Sequence, residues 1–100
     1  MTAIFFFHIE AKPLVETKLP MDIGGAVIAC WINSYDIIQA EKIARREIEN
    51  DDWRILEIKF AYELKEDEMP DDYPGREFFE QAKTEGFVIN FHTYPVKGLG

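Results

Sequence analysis

Alternation and helical spacing take turns along this chain, and the changeovers mark its elements. Residues 3–11, AIFFFHIEA, are rich in strand formers and stop at Lys12-Pro13, which predicts a first strand. Alternation puts Phe5, Phe7 and Ile9 on one face and Ile4, Phe6, His8 and Glu10 on the other. Residues 12–24 hold Pro13, Pro20 and Gly24-Gly25, a connection long for a hairpin, with room for a short strand from Val15 to Leu19. Residues 25–33, GAVIACWIN, are almost continuously apolar and predict a central strand covered on both faces. Its faces carry Ala26, Ile28, Cys30 and Ile32 on one side and Val27, Ala29, Trp31 and Asn33 on the other.

The period then lengthens. Ser34 is positioned as an N-cap, with Asp36 in the first turn where the helix dipole favours an anion. Ile37, Ala40, Ala44 and Ile48 form an apolar stripe, so a helix is expected over about 35–50, ended by Asn50-Asp51-Asp52. Alternation returns in residues 53–65, WRILEIKFAYELK. It places Leu56, Ile58, Phe60, Tyr62 and Leu64 on one face and Ile55, Glu57, Lys59 and Ala61 on the other. An acidic loop over 66–75 leads to a short helix at about 75–85 with Phe78, Phe79 and Ala82 inward and Gly86 closing it. Residues 87–94, FVINFHTY, predict the last strand, and 96–100 a frayed tail.

The order is β-β-α-β-α-β. It predicts one α+β domain over residues 1–100, a two-layer sandwich with a four-stranded, mostly antiparallel sheet and two helices on one face. This is ferredoxin-like in style, though not in element order. The helix-covered face would carry Phe5, Phe7, Ile28, Ile32, Ile58, Phe60, Ile89 and Phe91, with Phe60 and Ile28 in the core. The opposite face carries Glu57, Lys59, Asn90 and His92, which argues against a helix there.

Composition adds bounds. The 100 residues carry a formal net charge of −8, which disfavours nucleic acid and anionic membranes and makes a basic protein the easier partner. Cys30 is the sole cysteine and is expected to be a buried, unreactive thiol, so no disulfide framework is possible. The N-terminal MTAIFFFHIEAK has no basic flank and too short an apolar run for a signal peptide, and no segment is long enough for a membrane helix. A cytoplasmic setting is the expectation.

Candidate chemistry is sparse. The uncovered sheet face would combine Phe6, His8, Glu10, Val27, Trp31, Asn33, Ile55, Glu57, Lys59, Asn90 and His92. That mixture is too apolar for open water and too polar for a core, the composition of a contact surface. His8 and His92 with Glu57 or Glu10 offer donors for a transition metal, but no local ligand spacing supports one, and no metal or cofactor is expected. The acidic run Glu63, Glu66, Asp67, Glu68, Asp71 and Asp72 lacks the pattern of a calcium loop and reads as a solvated segment. Ser34 serves as a cap, and Gly24-Gly25 precedes a strand, so neither a nucleophile nor a phosphate loop is indicated.

Three stretches, GGAVIACWINSYD, AEKIARREIENDDWRILEI and FFEQAKTEGFVINFHTYP, span residues 24–95 and resemble small uncharacterised bacterial α+β domains. The resemblance implies the fold class and transfers no functional residue. The expected function is a non-enzymatic binding or regulatory module that forms a homodimer through the open face, with Trp31 at its centre. The alternatives are an acidic inhibitor or immunity-type protein for a basic partner, and a small-ligand binder or enzyme using His8, Glu57 and His92.

Overall fold

The computed structural model describes residues 1–14 and 23–95. Four strands, β1 (Ala3–Pro13), β2 (Ile23–Ser34), β3 (Trp53–Leu64) and β4 (Phe87–Pro95), form one sheet in the order β3-β1-β2-β4. All three neighbouring pairs are antiparallel, so β2 and β3 run parallel with β1 between them. Helix α1 (Ile37–Asn50) joins β2 to β3, and helix α2 (Arg76–Glu85) joins β3 to β4 after a single 3-10 turn at Glu66–Glu68. The α+β class, the element order and the antiparallel four-stranded sheet are those expected from the sequence. The postulated strand between Val15 and Leu19 lies outside the described residues, as does the tail at 96–100.

The first helix begins later than its spacing suggested. Ser34 stays in β2 and is buried, and Asp36 is the N-cap, its carboxylate accepting from the Gln39 N–H at 2.8 Å. Asp36 is the better acceptor because its side chain is free, whereas Ser34 is held in the ladder opposite Ala3. The stripe Ala40, Ala44 and Ile48 is buried, while Ile37 remains partly exposed at the first turn. These side chains meet Phe5, Phe7, Ile9, Ile28, Cys30, Ile32 and Trp53, forming the main core on the α1 face. Burial pushes the Cys30 thiol up to about 12, so it stays protonated and unreactive at neutral pH.

Strand β3 breaks the alternation. Its register against β1 shifts between His8 and Ile9 and again between Glu10 and Ala11, leaving Lys59 and Leu56 as the extra residues. Each bulge reverses the side-chain parity beyond it. Ile58 stays on the α1 face opposite Ile9, but Phe60 lands opposite His8 on the other face and is 59% exposed. Phe60 is therefore not a core residue, contrary to the uninterrupted period of two. Ile55 makes the reverse move: it sits opposite Ala11 and packs against the α1 core instead of facing the open side.

The second helix also differs from expectation in its placement. α1 packs on β3, β2 and β1 and fills its face; α2 packs on the opposite face of the same sheet. Phe79 and Ala82 of α2 meet Ile4, Trp31 and Val88, with Phe6, Leu64, Met69 and Phe78 around them. Each helix makes a two-layer packing with the sheet, but on different sides. The physical reason is the run Ile4, Phe6, Trp31, Val88 and Leu64: these apolar side chains share one face and need cover that α1, on the other side, cannot give. The polar residues that argued against a helix there, Glu57, Asn90 and His92, lie further along the same strands.

Candidate functional site

The face that receives α2 is built in rows fixed by the ladder register. One row reads Tyr62, Phe6, Trp31, Val88 from β3 to β4; the next reads Phe60, His8, Ala29, Asn90; the next Glu57, Glu10, Val27, His92. The first row lies against α2 and the segment before it. Trp31 is only 5% exposed; its indole N–H donates to the Tyr73 hydroxyl at 3.2 Å, and its ring meets Phe78 at 5.0 Å and Phe6 at 5.3 Å. Gly75 makes this approach possible, since a Cβ there would sit 2.8 Å from the Trp31 ring and from the Tyr73 hydroxyl. The expected bare tryptophan is thus covered by its own chain, and it cannot centre a dimer contact.

The lower two rows have no helix over them. They retain His8, Glu10, Val27, Glu57, Asn90 and His92 from the expected surface, joined by Phe60 and flanked by Tyr62, which is 46% exposed. Phe60 stands edge-on to His8 with centroids 5.6 Å apart, and Phe6 lies 5.4 Å from Tyr62. Lys59 reaches over this patch to Glu57 at 3.3 Å and Glu10 at 3.8 Å. Its ammonium pKa is raised by the hydrogen bond to Glu57 and the charges of Glu10 and Glu57. All three groups are open to water, so these pairs add little stability. Asn33 leaves the patch too: it sits further up the face, below the last turn of α2.

The cluster of His8, His92 and Glu57 considered as an alternative does not come together as a metal site among the described residues. His8 and His92 are separated by β2 and stand in different rows, so their strands are about 10 Å apart. No group of three or more His, Cys, Asp or Glu among the described residues is placed to hold a metal ion. Burial, aided by the charge of Tyr73, raises the Tyr62 hydroxyl.

A hollow of about 370 Å³ lies at the other end of the α2 face, between the start of β1, the end of β3 and the end of α2. Its floor is Ala3, Ile4, Leu64 and Phe79, and Lys83 and Glu66 rim it with an ion pair of 2.6 Å. That hydrogen bond lowers the Glu66 carboxyl and raises the Lys83 ammonium. Asn33 directs its amide N–H toward the Lys83 carbonyl at 3.5 Å, tying the last turn of α2 to β2, while its own carbonyl oxygen is enclosed without a partner. No local pattern announces this hollow, since Glu66 and Lys83 lie in different elements and meet only when α2 turns back over the sheet.

No helix among the described residues is long and apolar enough to cross a membrane. Comparison with known proteins yields no family model, no curated protein and no solved structure that matches this chain.

Proposed function

We propose that this protein is a small binding module without chemistry of its own, and that it self-associates through the half of the second sheet face that α2 leaves bare. The observation that carries this reading is the exposure of Phe60 at 59% and Tyr62 at 46%, side by side on one strand and continuous with Phe6 and His8. Aromatic side chains bring large area to a contact, and their burial in a partner returns about 25 cal/mol per Å² of apolar surface before association costs. The polar rim of Glu57, Glu10 and Lys59 fits the border of an interface, wet and able to pair with complementary charge. A reducing, cytoplasmic setting accords with the single buried thiol of Cys30.

Sedimentation of the wild type at micromolar to millimolar concentration tests the proposal. A dimer is expected, and Phe60→Asp should yield a folded monomer, since the substitution removes an exposed ring and touches no core contact. A wild type that sediments as a monomer throughout the range rejects self-association.

A second reading rests on the exposed acidic residues Glu66, Asp67, Glu68, Asp71 and Asp72 between β3 and α2, which form a docking patch for a basic protein. It predicts salt-sensitive retention of a lysine- or arginine-rich protein. That retention is lost when these carboxylates are neutralised and kept in Phe60→Asp.

A further inference from the structure

We infer that the C-terminal half of β3 is the seam of a symmetric dimer, in which two copies pair β3 edge to edge, antiparallel, about a two-fold axis at Ala61. The inference rests on the self-association proposed above and names its contact.

Three observations carry it. Among the described residues β3 is an edge strand that pairs with β1 alone, so one side of its backbone offers N–H and C=O groups to a further strand. Residues 59–63 are exposed on both faces of the sheet, although Phe5, Phe7 and Ile9 of the neighbouring strand are buried. α1 covers β3 as far as Ile58, and the α2 cluster takes up Leu64; between them no described residue covers the strand above, below or along its outer edge. A bare edge carrying Phe60 and Tyr62 is a template for another strand.

The third observation selects the partner. The stretch Glu57-Ile58-Lys59-Phe60-Ala61-Tyr62-Glu63-Leu64-Lys65 is charge-inverted about its centre. Antiparallel pairing about Ala61 sets Phe60 opposite Tyr62 of the second copy and brings Lys59 to Glu63 across the seam, with Lys65, just past the end of β3, on the Glu57 side. Centring on Phe60 instead sets Glu57 against Glu63, and centring on Tyr62 sets Lys59 against Lys65. A slip of one residue turns one copy's sheet over and removes Phe60 from Tyr62. Only the Ala61 register joins opposite charges and continues the aromatic ladder from Phe6 through Tyr62 and Phe60 into the second copy. The Lys59 bulge places its side chain on the Phe60 face, so its attraction to Glu63 acts across the seam rather than as a close ion pair. Its present contacts with Glu57 and Glu10 are solvent-exposed and easily exchanged. The other edge, β4, has no such pattern: from Phe87 to Pro95 it carries no Lys, Arg, Asp or Glu. The product is one continuous eight-stranded sheet, twice the four strands of one copy.

The test uses the whole chain with Ala61→Cys. Cys30 is buried, so the new thiol is the reactive one. Opposed Cα atoms of an antiparallel pair lie roughly 4.5–5.5 Å apart, within disulfide range. Under mild oxidation of native protein, Ala61→Cys should form a covalent dimer rapidly, and Thr93→Cys on the β4 edge should not. Independently, Lys59→Glu should weaken dimerisation by roughly tenfold, and adding Glu63→Lys should restore it, with circular dichroism confirming that each variant is folded. A wild-type dimer that Ala61→Cys fails to cross-link, or that ignores the charge exchange, overturns the seam and leaves self-association standing. A wild-type monomer overturns both. Growing chains of copies in place of a closed dimer overturn the two-fold axis and point to β3 pairing with β4.

Discussion

Trp31 and Phe60 share a sheet face two strands and one row apart, and they meet opposite fates. Trp31 is enclosed by Phe6, Phe78, Tyr73 and Gly75; Phe60 stands in water with one edge-on contact to His8. The difference is not hydrophobicity, since both are large aromatics. It is the reach of a ten-residue helix, which covers roughly 15 Å of a longer sheet. Strands of nine to twelve residues outrun it. The same face is therefore core where α2 lies and exposed where it ends. Burial on one half supplies stability, and the other half leaves its aromatic surface in water.

The largest test of this contrast is truncation on each side of it. Trp31→Ala should lower unfolding free energy by roughly 3–5 kcal/mol, because it removes a buried ring and leaves the Tyr73 hydroxyl without its donor. Phe60→Ala should shift the denaturation midpoint of the monomer by no more than about 0.5 kcal/mol, as surface changes do. Urea titration of both variants at concentrations below association measures the gap. Comparable losses would mean that the two rings are equally packed and that the division of the face is wrong.

A smaller effect sharpens what holds the covered half shut. Gly75→Ala brings a methyl against the Trp31 and Tyr73 rings, and overpacking of this kind costs about 1–3 kcal/mol. The near-ultraviolet signal of Trp31 should change with it. An unaltered melting temperature would show that α2 can lift away from Trp31 at little cost.

The smallest effect concerns the ion pair that closes the top of α2. Glu66 titrates below its ordinary 4.5 because Lys83 donates to its carboxylate, and the group is fully exposed. A depressed folded pKa adds stability above the unfolded pKa and loses it as pH falls through the folded one, so this pair weakens in acid, and, because Lys83 is raised, again in strong base. In Lys83→Met the Glu66 carboxyl should return toward 4.5, followed by NMR titration, while the midpoint at neutral pH barely moves. A Glu66 that titrates identically in the variant would show that the pair does not persist in solution.

Legibility followed locality. The burial of Phe7, Ile28 and Cys30, the stripe Ala40, Ala44 and Ile48, and the turn at Gly86 with its φ of 97° were readable because each depends on a few neighbours in the chain. Of the open face, His8, Val27, Glu57, Asn90 and His92 were also placed on the side they occupy. The faces of Ile55 and Phe60 were not legible. A bulge is decided by how β3 and β1 pair, and nothing in WRILEIKFAYELK announces the extra residues. The hollow beside Lys83 and Glu66 had no local signal at all.

By itself, then, the sequence determined the element order, the antiparallel α+β class and the apolar faces of β1, β2 and α1, because periodicity and turn chemistry act over a few residues. Tertiary structure alone decided that α2 takes the opposite face from α1, that Trp31 is covered, and that Phe60 and Tyr62 are left bare on an edge. Those outcomes depend on which strands become neighbours, on register shifts between them, and on how far a short helix can reach across a sheet that extends beyond it.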